Sequence, residues 1–183
     1  MPNLSDTDHL RNALYEAIVN MPISWLNTAQ DLKRSADLLL ASAVNSHRTK
    51  PQDTRIVRGH MSSYCLLMGF AFENLVKGVH LSSFSQSATP FDDARADWKD
   101  GGHGFTDLAR RSIDLSDIEI NVLRKLQEFV VWSGKYAIPN KPGRFNLDHW
   151  LTGDLFPDAD QLDAIQPLFS KLEAIVLQTV PTA

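Results

Sequence analysis

The chain is poor in the features that announce most functions. It has one cysteine in 183 residues, Cys65, which excludes an internal disulfide framework and a zinc site built from several cysteines. Its setting among Met61, Tyr64, Leu67, Met68 and Phe72 is that of a buried small hydrophobe. No run approaches the ~18 uninterrupted apolar residues of a membrane span. The first twenty residues carry Asp6, Asp8 and Glu16 and hold no continuous apolar stretch, so no signal peptide and a cytoplasmic location are expected. Alternating strand patterns of useful length are missing, as are internal repeats. A phosphate-binding glycine loop, a nucleophile elbow, a paired-histidine zinc helix and an EF-hand loop are also absent. Lys plus Arg number 18 against 22 Asp plus Glu, a net charge of −4, which argues against a surface that binds polyanions everywhere and leaves room for a local basic patch.

What is present is helical period. Apolar residues make up 43% of the chain, enough for one domain spanning 1–183. Asp6 or Thr7 caps a first helix to about residue 20, with Leu10, Leu14, Ala17 and Ile18 on one stripe. After Met21-Pro22, a second helix is expected over 24–46. Its Trp25, Ala29, Leu32, Ala36, Leu39 and Ala43 recur in steps of four and three, a packing seam widened by Leu26, Leu40 and Val44. Residues 45–51 read as a polar loop.

A third, long helix runs from about 53 to 81 with a broad apolar face, interrupted by Gly59, Gly69 and Gly78. Gly69 suits close approach by a neighbouring helix, and Gly78 suits a fraying end. Residues 82–104 form a long loop with one helical turn around 92–98, its Phe84, Phe91 and Trp98 favouring packing. A short helix follows over 103–112. Ser116 to Glu119 make a capping box that opens the next helix, to about 134. A second irregular stretch covers 134–157, and a last helix starts near 158–160, bent or delimited by Pro167. The fold class is all-α, a bundle of five or six helices with two long irregular connections. The wide apolar faces of the second and third helices suggest a homodimer.

Three polar segments stand out. Glu73 and Lys77 are four apart in the favourable order on a helix, either an exposed pair or a half-buried acid that holds another polar group. His103 lies among Gly101, Gly102 and Gly104, four residues before Asp107. Trp132, Lys135 and Tyr136 place aromatics around a cation at a turn, suited to stacking a base or to closing the core.

In this order the segments resemble one branch of the HEPN superfamily, small helical bundles found in bacterial toxins and defence systems. The parts that carry the resemblance are Glu73, Asn74 and Lys77, then Gly102 and His103, then Trp132, Gly134, Lys135 and Tyr136, with Lys135 where the pattern has Arg. It spans about residues 62–142. The resemblance implies a HEPN-like fold, a homodimer, and action on RNA or nucleotides, including metal-independent RNA cleavage by an Arg and a His about five residues apart. Two spacings fit: Arg144 with His149, and Arg55 with His60. On a regular helix residues five apart point about 140° from each other, which disfavours Arg55 and His60. Arg144 and His149 are the expected catalytic pair, with Glu73, Asn74, Lys77, His103, Trp132, Lys135 and Tyr136 in a supporting polar site. Neither a metal nor another cofactor is expected, since His103, Asp107, Asp148, His149 and Asp154 share no local ligand spacing. The alternative is a non-catalytic module of the same fold that binds a partner protein or a ligand.

Overall fold

A computed structural model describes residues 4–98, 102–133 and 155–179. Among these the chain is helical, with no strand. The elements are α1 (Leu4–Val19), α2 (Pro22–Thr49), α3 (Thr54–Ser82), α4 (Pro90–Ala96), α5 (Phe105–Ser112), α6 (Asp117–Glu128), a π-helical turn (Phe129–Ser133) and α7 (Ala159–Leu177). None of these helices is long and apolar enough to cross a membrane. The described residues form seven α-helices, where five or six were expected. The turn foreseen near 92–98 is a full helix, α4, started by Pro90 in its first turn and supported by Asp92 and Asp93 at its positive end. Most of the expected irregular stretch 134–157 lies outside the described residues.

The start and stop signals explain most boundaries. Pro22 opens α2 rather than merely separating it from α1, because a proline in the first turn gives up no intrahelical bond. The expected loop at 45–51 is helical through Thr49. Nothing interrupts the ladder until Pro51, which forces Lys50 out of helical geometry (φ −140°, ψ 65°). Asp53 caps α3 through the Ile56 amide. Ser116 and Glu119 form the reciprocal capping box of α6, and Asp158 with Gln161 forms a second one at α7. Pro167 sits inside α7 rather than at its start.

Helix α3 is the centre of the bundle. It packs along its length on α2 and also touches α5, α6, α7 and the π-helical turn. On α2, Ala29, Ala36 and Ala43 recur every seven residues and are fully enclosed. Their small side chains let α2 lie close to α3, whose Tyr64, Cys65, Met68, Phe72, Leu75 and Val76 belong to the buried core. Gly69 accepts α6 in the same way: a Cβ there would stand 2.6 Å from Val130 Cγ2 and 2.7 Å from the Leu126 carbonyl oxygen. Gly78 does not fray. It is buried, and a Cβ would meet Trp25 and the Pro22 carbonyl at 3.2 and 3.3 Å, so it admits the start of α2.

The apolar face of α3 is covered within the chain, which removes that part of the reason to expect a dimer. Among the described residues an apolar stripe stays exposed on α1, at Leu10, Leu14, Tyr15 and Ile18, joined by Met21 in the turn that follows. Val44, expected to widen the α2 seam, is also exposed. Cys65 is fully buried, and that burial pushes its thiol up to about 12. The folded protein should therefore leave a thiol-reactive dye uncoupled at neutral pH and take up one equivalent per chain in guanidinium. Rapid labelling under native conditions would contradict this packing.

Candidate functional site

Between Ala71 and Leu81 nearly every residue of α3 is buried, so this part of the helix has almost no solvent face. Three of its residues are nonetheless ionisable: Glu73, Lys77 and His80, at steps of four and three that put them on one side. A charge in such a position persists only when paired. Each of the three has found partners in the chain that follows α3.

Glu73 and Lys77 form the first node. Lys77 Nζ lies 2.6 Å from Glu73 Oε1, with both side chains under a tenth exposed. Of the two readings open for this pair, the geometry is that of a buried acid that holds another polar group. The second carboxylate oxygen, Oε2, stands 2.8 Å from His103 Nδ1. His103 is about one-third exposed, so it joins a buried carboxylate to solvent. A carboxylate in this position favours hydrogen on Nδ1 and leaves Nε2, for which the described residues show no partner, to exchange protons. Asp107, four residues on, does not share this contact: it is exposed on α5, whereas His103 precedes that helix.

Gly102 makes the approach of His103 possible. Its φ is +92°, and a Cβ would stand 2.9 Å from Lys77 Nζ. The backbone conformation favours glycine, and a Cβ would press on the end of the Lys77 side chain. Trp98 covers the same ammonium, its ring centre 4.9 Å from Nζ, and Trp25 lies at 6.0 Å. Such contacts are worth up to about 2 kcal/mol when desolvated. The rings belong to a wider cluster. Trp25 and Trp98 meet edge to face at 5.5 Å, Phe91 stands 6.3 Å from Trp25 and 5.5 Å from Trp98, and Tyr15 packs on Phe91. Two hydrogen bonds fix the cluster's rim. Trp25 Nε1 donates to the Val19 carbonyl at 3.1 Å, and the Phe91 amide donates to Asn20 Oδ1 at 2.8 Å.

His80 is the second node. Its Nε2 is 3.2 Å from Asp97 Oδ2, its Nδ1 is 3.2 Å from Ser112 Oγ, and its ring meets Phe84 edge to face. Asp97 also lies against Arg111, which reaches its carboxylate at 3.6 Å and its backbone carbonyl at 3.2 Å. Burial lowers the His80 pKa below the ordinary imidazole value. Asp97 opposes that shift and Arg111 adds to it. Because Trp98 follows Asp97 directly, the two nodes share one short piece of chain.

The expected supporting residues divide accordingly. Glu73, Lys77 and His103 meet. Asn74 is half-buried and donates to the Phe70 carbonyl one turn back, at 2.8 Å. The backbone of Trp132 lies in the π-helical turn. Lys135, Tyr136, Arg144 and His149 lie outside the described residues. Arg55 and His60 both sit within α3, so they diverge by about 140°. Arg55 is exposed, and His60 Nδ1 is buried without a hydrogen-bond partner among the described residues.

Sequence reasoning missed the aromatic cover over Lys77 and the whole His80 node. A signal existed for both: three ionisable residues on one side of a strongly apolar stretch of helix. An open groove of about 430 Å³ on α2, lined by Asp37, Leu40, Ala41, Val44, Asn45 and Arg48, involves none of these residues. Among the described residues no group of three or more His, Cys, Asp or Glu is arranged to hold a metal ion. The chain matches no protein-family model, no curated protein and no solved structure.

Proposed function

We propose that this is a HEPN-like cytoplasmic protein that acts on RNA or a nucleotide, with His103 as a proton-transfer group oriented by Glu73. The observation that carries the reading is the 2.8 Å contact between His103 Nδ1 and a carboxylate oxygen that is itself buried. A fixed acceptor on Nδ1 leaves Nε2 free to take a proton from a ribose 2′-hydroxyl near neutral pH. Lys77 balances the charge of Glu73, so the carboxylate stays in place without water around it. In this reading Arg144 and His149 supply the phosphate grip and a second proton-transfer group.

The test is incubation of the purified chain with total RNA, with and without EDTA, beside His103→Ala, Glu73→Gln, His149→Ala and Arg144→Ala. The expected result is cleavage that survives EDTA and falls at least 100-fold in His103→Ala and in His149→Ala, in line with the ~10²–10⁴ contributed by a general acid or base. Loss in His149→Ala alone would confine the chemistry to the Arg144–His149 segment and leave His103 a structural role.

A second reading, a non-catalytic interaction or ligand-binding module of the same fold that regulates a partner protein, is favoured by one observation. Among the described residues, Leu10, Leu14, Tyr15 and Ile18 of α1 are exposed. RNA left intact in every lane, together with a concentration-dependent mass above 20.5 kDa or a co-purifying protein, would favour this reading.

A further inference from the structure

The end of the α2–α3 hairpin carries positive charge that its surroundings do not neutralise. Residues 47–58 hold Arg48, Lys50, Arg55 and Arg58 against one acid, Asp53, in a protein whose net charge is −4. All four cations are exposed. Elsewhere Lys33, Arg34, Lys77, Arg111 and Lys171 each lie against a carboxylate. At the hairpin tip the described residues show no ion pair for any of the four. Asp53 is engaged otherwise, since its side chain accepts from the Ile56 amide at the start of α3. Asp37, the acid that shares the α2 groove with Arg48, lies 2.6 Å from Lys33 Nζ. Helix stability does not account for Arg55 either. A cation in the first turn opposes the helix dipole, and that turn of α3 holds no acid.

We propose that this tip is a docking surface for the phosphate backbone of RNA, which makes the substrate of the His103 site a strand rather than a free nucleotide. Three of the four cations are arginines, whose forked donors match phosphate oxygens. Residues 44–58 contain no aromatic residue. Bases therefore have no ring to stack on, and a membrane surface has no large ring to bury. What remains is contact with the backbone, independent of base sequence.

The geometry of α3 links the tip to the site. Arg55 and Glu73 are five turns apart, which puts them on one side of the helix at a separation of about 27 Å. A stacked strand advances about 3.4 Å per phosphate, so about eight nucleotides reach from one to the other. The choice of RNA and this link rest on the proton-transfer reading of His103, whereas docking itself is measured without cleavage.

The experiment is fluorescence anisotropy with the full chain and a labelled RNA of about 20 nucleotides, 2′-O-methylated so that no 2′-hydroxyl can react, at salt from about 50 to 200 mM. Wild type is compared with the alanine pair Arg55→Ala/Arg58→Ala and the lysine pair Arg55→Lys/Arg58→Lys. The alanine pair should bind about tenfold more weakly or worse at low salt. Its slope of log affinity against log salt should fall by about 1.4, the value for two lost phosphate contacts on a single strand. The lysine pair should keep the wild-type slope, and uridine and cytidine strands should bind alike. Because both arginines are exposed, unchanged thermal midpoints serve as the check on folding. An alanine pair with wild-type affinity and slope would overturn the docking surface, as would a tip that takes phosphatidylserine vesicles or polyglutamate and not RNA. With unmodified RNA, wild type should cleave the long strand at least about tenfold faster than a dinucleotide, the least that a general acid or base contributes being larger still. Equal rates would overturn the assignment of a strand as substrate. Salt-sensitive docking in a chain that cleaves neither would refute the proposed function and leave the docking surface standing.

Discussion

Lys77→Met should destabilise the protein by about 3–5 kcal/mol, the range for a buried ion pair that loses one partner. The reason lies in the carboxylate left behind. Glu73 is 6% exposed and sits on the most enclosed stretch of α3, so water cannot replace the ammonium at 2.6 Å. His103 still touches the other oxygen and is the only remaining compensation among the described residues. Joint replacement, Glu73→Leu with Lys77→Met, should recover most of the loss, because two apolar side chains of similar volume need no partner. Equilibrium denaturation in urea measures both, with an unchanged m-value as the check that the native state remains the same. A Lys77→Met protein as stable as wild type would mean that Glu73 is neutral or hydrated, and the orienting role proposed for it would fail. Activity separates the effects further: the double variant should fold and yet lose any reaction that needs His103 held in place.

Gly69→Ala should cost about 1–3 kcal/mol, although alanine is the better helix former by about 1 kcal/mol. The added methyl meets a carbonyl oxygen at 2.7 Å, and that oxygen belongs to the backbone of α6 at Leu126. A side chain can rotate away from such a contact, but a helix backbone has to move as a whole. The control is Gly59→Ala on the same helix, where nothing lies within 4 Å. There the propensity gain acts alone, and stability should rise by up to about 1 kcal/mol. Thermal midpoints that move in opposite directions for the two variants are the expected outcome. A neutral Gly69→Ala would show that α3 and α6 are not in close contact.

These two predictions mark how far the sequence could be read. The spacing on the third helix suggested a close neighbour at Gly69, and the bundle provides one. The same reasoning took Gly78 for a frayed end, because nothing local distinguishes a glycine near a terminus from one pressed against Trp25. Glu73 and Lys77 were legible as a pair from their spacing alone. Their burial was not, since that depends on α2, α5, α6 and α7 closing around α3. The stripe on α1 shows the converse: Leu10, Leu14 and Ile18 have the period of a packed face and are nevertheless exposed.

The sequence by itself determined the helical class, the helix starts near Asp53 and Asp158, the capped start at Ser116, and the apolar seam of α2, because these rest on interactions within a few residues. Only the tertiary structure decided which polar residues meet. His103 is 30 residues from Glu73, Ser112 is 32 from His80, and Trp98 reaches Lys77 only after the chain has turned through α4. Those pairings are set by the enclosure of α3, which forces each of its ionisable side chains to find a partner elsewhere in the chain.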